Sequence, residues 1–167
     1  VVEWVVELFG KGHERAAFAC GKPPLDDFIH SRVNQYEKRR LGKTFVAVPK
    51  GGKRVLGYYT LAAGAVAFAQ VPPDASRKLP KHPIPVVLLA RLAVDQSAQG
   101  MRLGEGLLLD ALKRALDLSK GLGVYAVEVD AIDDQAAAFY RKYGFTPLLD
   151  APLHLYLPIS TAEDVLA

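Results

Sequence analysis

The segment that constrains this chain most is IPVVLLARLAVD, residues 84–95, which runs without a break into QSAQGMRLGEGLLLDALKRA, residues 96–115. A long, β-rich apolar run suits a strand buried on both faces, and such strands lie at the centre of sheets covered by helices. From Arg102 the apolar period becomes helical. Leu103, Leu107, Leu108, Ala111, Ala115 and Leu118 share one helical face, and Asp110, Lys113, Arg114 and Asp117 share the other. Gly121 and Gly123 are expected to end that helix. The expected centre of the molecule is therefore a buried strand, a glycine-bearing turn and a helix.

The flanking segments supply the layers around it. Residues 2–9 read as a strand. In GKPPLDDFIHSRVNQYEKRR, Pro23 and Pro24 suit a helix start, and Asp26 and Asp27 suit the positive end of its dipole. Leu25, Phe28, Ile29, Val33 and Tyr36 recur at helical spacing and give that helix one buried face. TFVAV (44–48) and RVLGYYTLAAGAVAF (54–68) are strand-like and joined by a PKGGKR turn. Residues 69–85, rich in proline and lysine, read as a long loop. VYAVEVD (124–130) is a further strand. DDQAAAFYRKYGF (133–145) is a short helix with Asp133 as N-cap and Gly144 just past its end, and LHLYLPI (153–159) is a last strand. The expected order is β-α-β-β-loop-β-α-β-α-β, an α/β fold with a central mixed sheet flanked by helices, in one domain over residues 1–167.

Composition narrows the function classes. Half the residues are apolar and 23% are charged, as in an ordinary soluble domain. No apolar run is long enough to span a bilayer, and VVEWVVELFG is too short and acidic for a secretory leader, so a cytoplasmic protein is expected. One cysteine, Cys20, excludes an internal disulfide and a cysteine-based zinc cage, and no metal is expected. The formal charge is +3 and the pI about 9.0. EKRRLGK (37–43) and RKLPKH (77–82) are local basic clusters, which on charge alone are either solvated surface or a phosphate-backbone footprint.

A strand, a glycine turn and a helix N-terminus make an anion site, because first-turn N–H groups lack intrahelical partners and the helix dipole adds positive potential. QGMRLGEG is not a Walker A loop, since no Gly-Lys-Ser/Thr follows, and its glycine spacing is not that of the dinucleotide fingerprint. On these residues alone a tight turn and a phosphate site both stand.

In order, LLARLAVD, QGMRLGEGLLLDAL and VEVDAIDDQAAAFYRKYGF resemble the acetyl-CoA-binding motifs of GNAT N-acetyltransferases, over nearly the whole chain. FACGKPPLDDFI, RRLGKTFVAV, PIPVVLLARLAVDQSAQG and LLLDALKRA are similar to the toxin branch of that family, the toxins of toxin–antitoxin pairs that acetylate aminoacyl-tRNA. The family's cofactor loop reads Gln/Arg-x-x-Gly-x-Gly/Ala. Here Gln99 fills the first position, Gly104 the last, and Arg102 replaces the middle glycine. The resemblance implies that Gln99, Gly100, Met101, Arg102, Leu103, Gly104 and Glu105 hold the pyrophosphate of acetyl-CoA. It also implies that the backbone of Leu92, Ala93 and Val94 hydrogen-bonds the pantetheine arm and the acetyl carbonyl. At Arg102 the backbone N–H is the binding group, and the side chain is able to point outward and add a charge-assisted contact. Asp133 stands where the family often has a cofactor-touching asparagine, though it is equally an ordinary N-cap. Phe139 packs along the pantetheine or in the core.

Acetyl transfer needs a neutral amine, a polarised carbonyl and a proton for the departing thiolate. Tyrosine, with a reference pKa of about 10, holds its proton near neutral pH. The resemblance places the acid at Tyr140 and leaves Tyr143 as a packing residue. No general base is evident among His13, His30, His82, His154 and the carboxylates. An α-amino group, with a pKa of about 7.7–8.0 against about 10.4 for lysine, needs less help to lose its proton, which favours an aminoacyl acceptor. The resemblance thus implies a toxin that acetylates the α-amine of aminoacyl-tRNA and blocks translation. Arg77 and Lys78 are expected tRNA contacts, a small ribbon-helix-helix antitoxin an expected partner, and a homodimer the expected assembly. LAAGAVAFAQV (61–71) is either a dimer contact or a core strand. The alternatives are a GNAT enzyme acting on a small-molecule or protein amine, and a non-catalytic binder of CoA.

Overall fold

The computed structural model describes residues 3–167. Its strands are β1 (Trp4–Leu8), β2 (Lys43–Pro49), β3 (Gly57–Val66), β4 (Ile84–Val94), β5 (Ala126–Asp130), β6 (Thr146–Pro147) and β7 (His154–Pro158). Its α-helices are α1 (Pro23–Asp27), α2 (Val33–Lys38), α3 (Pro73–Ser76), α4 (Leu103–Leu118), α5 (Asp134–Lys142) and α6 (Ile159–Leu166). The strands are hydrogen-bonded in the order β1-β2-β3-β4-β5-β7-β6. The β4–β5 ladder is parallel, whereas the β1–β2, β2–β3, β5–β7 and β6–β7 ladders are antiparallel, so the sheet is mixed as expected. Val2, the first residue of the expected opening strand, lies outside the described residues.

The chain packs as two units. One comprises the chain up to Ala62 with Ala90–Ala111, and the other Ala63–Leu89 with Leu112–Ala167. In the first, Phe18, Phe28, Ile29, Val33, Val46, Val48, Val55, Tyr58 and Ala93 form a buried apolar cluster. The face read from 25–36 is therefore the buried one, but the helix carrying it is not uniform. A π-helical segment, Phe28–Arg32, joins α1 to α2, with the Val33 N–H donating to the Phe28 carbonyl. Such bulges leave carbonyls without the usual partner, and Arg15 Nη1 donates to the Ile29 and His30 carbonyls at 2.8 and 2.6 Å. α2 stops in a Schellman arrangement. Arg40 takes φ +58°, the Leu41 N–H reaches the Tyr36 carbonyl and the Arg40 N–H reaches that of Glu37.

In the second unit, Val66, Val71, Ile84, Val86, Ala126, Leu148 and Tyr156 form the core, with Phe68, Ala75 and Leu79 from the segment between β3 and β4 packed on it. That segment is not a bare loop: Phe68–Gln70 is a 3₁₀ turn and Pro73–Ser76 is α3. Three expectations need correction. Leu118 is 49% exposed rather than buried, because α4 ends there, ahead of Gly121 and Gly123. α6 was not expected; it starts directly after Pro158, in residues that read as the end of a strand, and buries only Ile159 and Ala162. β6 is too short to show in a sequence pattern.

One glycine carries a packing constraint. A Cβ on Gly57 would lie 2.8 Å from Leu107 Cδ1 and 3.1 Å from the Ala93 carbonyl oxygen, so β3 seats α4 and the end of β4 only if this side chain is missing. Gly57→Ala is expected to lower stability by about 1–3 kcal/mol, read as a drop in urea midpoint without change in slope.

Candidate functional site

The site begins where β4 stops. Asp95, 3% exposed, follows the last residue of β4. Its Oδ1 accepts the Ala19 N–H at 2.8 Å. Its Oδ2 accepts the Ser97 N–H at 3.0 Å, the Ser97 hydroxyl, and Arg54 Nη2 at 3.3 Å. The Gln96 N–H returns to the Ala19 carbonyl at 2.9 Å. Burial alone would raise the Asp95 pKa, but the Ser97 and Ala19 donors and the Arg54 charge hold it below the ordinary value. Asp95, Arg54 and Ala19 are site-building residues that the sequence reading missed. The visible clue was an Asp followed by Gln-Ser at a strand end, the pattern of a capping carboxylate.

A 3₁₀ turn, Gln96–Ala98, then leads to Gln99, whose side-chain Nε2 donates to the Val94 carbonyl at 3.1 Å and the Cys20 carbonyl at 3.3 Å. Gly100 has φ +85° and Arg102 φ +62°. The left-handed conformation explains why the family pattern has glycine where Arg102 stands: the turn needs it, and a non-glycine residue adopts it at a cost of order 1 kcal/mol. The Arg102 guanidinium, 78% exposed, points away from the turn to Glu105, with Nη2–Oε1 at 3.1 Å. The first helical bond of α4 runs from the Gly106 N–H to the Arg102 carbonyl. The N–H groups of Leu103 and Gly104 therefore lie ahead of the intrahelical ladder, at the positive end of a 16-residue helix. Gly100 opens on space: a Cβ there would meet nothing within 4 Å. This donor set, with left-handed residues beside it, fits a diphosphate.

The preceding strand fits an extended ligand. The β4–β5 ladder runs from Val86↔Ala126 to Leu89↔Val129, while β4 itself continues to Val94. Leu92 and Val94 are half-buried and Ala93 is buried.

α5 belongs to the second unit. Asp133 caps it, Oδ1 accepting the Ala136 N–H at 2.8 Å, as expected of an N-cap. Tyr140 is 7% exposed. Its ring lies 5.4 Å from that of Phe145 and 5.4 Å from that of half-buried Phe139, which also packs 5.3 Å from Tyr143. Burial pushes the Tyr140 pKa above the ordinary tyrosine value, so it stays protonated across the physiological range. Tyr143 forms the C-cap, and Gly144, at φ +99°, turns the chain out of the helix.

Residues 41–147 match the family model for the acetyltransferase (GNAT) domain. The chain belongs to the GNAT acetyltransferase family. It is 40% identical over 147 residues to a tRNA-acetylating toxin of Mycobacterium tuberculosis, covering 88% of this chain and 87% of the relative. Among solved structures it is similar to AtaT complexed with acetyl-methionyl-tRNAfMet (TM-score 0.91, 26% identity, 99% and 100% of the two chains). AtaTR bound with AcCoA gives a TM-score of 0.86 at 27% identity, covering 98% of each chain. An AtaT–AtaR complex with bound DNA gives 0.77 at 26% identity, covering 98% and 99%.

Two of the acetyltransferase's four histidines are committed elsewhere. His13 Nδ1 accepts the Gly10 N–H at 2.9 Å, so Nε2 carries the hydrogen donated to Glu7 at 2.6 Å. His154 is held by Glu128 and, at 2.8 Å, by Asp150. Burial lowers its pKa, but the two carboxylates outweigh burial and raise it, biasing His154 toward its charged form. Burial lifts the Cys20 thiol to about 11, so it is no nucleophile. Of the basic clusters, Lys43 pairs with Glu37 at 3.4 Å and Arg77 with Asp74 at 3.3 Å, while Lys38, Arg39, Arg40 and Lys78 are exposed.

Asp95→Asn leaves one of the two backbone N–H groups facing an amide NH₂, and is expected to cost about 1–3 kcal/mol. The Asp95 pKa is depressed, so its stabilisation is present above about pH 4 and is lost as pH falls through the folded-state value. The gap between wild type and Asp95→Asn in urea melts should therefore shrink toward acid pH.

Proposed function

We propose that this protein is a toxin that transfers the acetyl group of acetyl-CoA to the α-amine of aminoacyl-tRNA. One observation carries the reading. The acetyl-CoA turn of the GNAT family is pinned, through Asp95, Gln96 and Gln99, to Ala19 and Cys20 of FACGKPPLDDFI, the segment that general acetyltransferase chemistry does not need. The likeness to a tRNA-acetylating toxin over 88% of the chain supports it. The matched segment, 41–147, draws on both packing units, which supports reading residues 1–167 as a single acetyltransferase domain.

In this reading the N–H groups of the 99–105 turn bind the pyrophosphate, with the Arg102 guanidinium, shared with Glu105, making a smaller contribution. Backbone groups of Leu92, Ala93 and Val94 receive the pantetheine arm and the acetyl carbonyl, and Phe139 packs beside that arm. Asp133 is occupied with capping α5, and its cofactor contact is secondary. The neutral α-amine attacks the thioester carbonyl, the C–S bond breaks, and Tyr140 gives its proton to the leaving sulfur; the proton that the acylated nitrogen sheds passes through water and restores the tyrosine. Burial disfavours tyrosinate and thiolate alike, so the same dry surroundings that raise the Tyr140 pKa also raise the proton affinity of the sulfur. Arg77 and Lys78, together with Arg39 and Arg40, offer cations to the tRNA backbone. A blocked α-amine cannot form a peptide bond, so translation stops.

A small antitoxin of ribbon-helix-helix type is the proposed partner, in keeping with the AtaT–AtaR complex. A homodimer is the proposed assembly, with the exposed alanines 63, 65 and 67 of the 61–71 stretch as its contact. Among the described residues no helix is long and apolar enough to cross a membrane, and a charged tRNA substrate supports a cytoplasmic location.

Tyr140→Phe is expected to lower acetylation of charged tRNA by roughly 10²-fold or more with acetyl-CoA affinity unchanged; mass spectrometry of the aminoacyl ends reads the first and calorimetry the second. A variant that still acetylates at the wild-type rate removes Tyr140 as the acid. Arg102→Gly is expected to weaken acetyl-CoA binding only about two- to fivefold, without lowering the melting temperature, since glycine accepts the left-handed turn. An unchanged dissociation constant would show that the side chain makes no contact.

A further inference from the structure

Arg91 lies on β4 just ahead of Leu92, Ala93 and Val94. Its guanidinium carbon is 3.8 Å from the ring centre of Phe28 and 4.9 Å from that of Tyr36. These two rings meet edge to face at 5.1 Å on the helical segment that follows Pro23. The residue is half-buried, and among the described residues it pairs with no carboxylate. Arg54, Arg77 and Arg102 each have one. Half-burying a cation costs solvation, and aromatic faces return only part of it. Packing alone would be met by leucine or methionine at this position. Stacking also fixes the flat guanidinium while leaving its in-plane N–H donors facing away from the ring, the geometry that phosphate oxygens accept.

The position on the strand indicates which phosphate. Acetyl-CoA carries its phosphates at the end remote from the thioester, and the 99–105 turn beyond β4 accounts for the pyrophosphate. Arg91 stands about 10 Å back along the strand from Val94, on the acetyl side. The anion needed there comes with the acceptor. In an aminoacyl-tRNA the amino acid is esterified to the terminal ribose, and the phosphodiester 5′ to that ribose is the charge nearest the reacting amine. We propose that Arg91 binds this phosphodiester and so holds the terminal nucleotide with its α-amine toward the thioester. This rests on the function proposed above. It makes Arg91 a determinant of specificity, favouring a nucleotide-borne amine over a free amino acid.

The test measures acetylation of bulk charged tRNA, and separately acetyl-CoA binding, for wild type and Arg91→Met, which keeps the packing and removes the charge. The expected result is a KM for charged tRNA raised roughly ten- to hundredfold and an acetyl-CoA dissociation constant within about twofold of wild type. The slope of log KM against log salt should become shallower by about 0.7, the share of one single-strand phosphate contact. A merely structural role would lower the melting temperature and leave that slope alone. If Arg91→Met melts early, Arg91→Gln carries the same measurements. An unchanged KM and slope overturn the proposal, as does a loss of acetyl-CoA affinity equal to the loss on tRNA, which would assign Arg91 to the cofactor. Wild-type protein that leaves charged tRNA unmodified would overturn the functional reading itself, and this proposal with it.

Discussion

The Asp95 carboxylate is the interaction on which the turn between β4 and α4 depends. It closes β4, caps the 3₁₀ turn after it, takes the backbone N–H of Ala19 and balances Arg54. A carboxylate this buried is tolerable only because each oxygen is supplied with donors. In return the turn acquires a fixed origin. Gln99 repeats the device from the far end of the 3₁₀ turn, tying back to Val94 and Cys20. The turn is thus set by hydrogen bonds within the chain, so a ligand bound there would meet a backbone already ordered.

Arg102 shows how a backbone requirement and a side-chain identity separate. The turn requires a left-handed residue where the family pattern has glycine. Arginine meets that requirement at some conformational cost, and its guanidinium is drawn outward by Glu105. That pairing also offsets a carboxylate standing in the first turn of α4, next to the donors meant for an anion. The departure from the family pattern therefore changes the side chain on the outer face of the turn and preserves the N–H groups on its inner face.

Electrostatic roles among the titratable groups are sorted by surroundings. Tyr140 is packed among aromatic rings, and burial there favours its protonated form. His154, between Glu128 and Asp150, is biased toward its charged form, and His13 is fixed in one tautomer by the Gly10 N–H. Both imidazoles are thus engaged within the chain.

Much of this was legible in the chain. The central strand, the glycine turn, the amphipathic α4 and the Asp133 cap follow from local period and capping chemistry, properties of neighbours in sequence, while Tyr140 was singled out only by the resemblance to the GNAT motifs. The end of α4 at Leu118, the addition of α6 and the π-helical segment were not legible, because each is decided by what the segment packs against. The bonds from Asp95 to Ala19 and Arg54, and the stacking of Arg91 on Phe28 and Tyr36, join residues far apart in the chain. The sequence by itself determined the central strand, turn and helix and the donor-bearing turn between them. Only the tertiary structure decided that Arg102 pairs with Glu105, which histidines are already engaged and that Arg91 meets no carboxylate among the described residues, because these depend on distances between side chains that no spacing along the chain encodes.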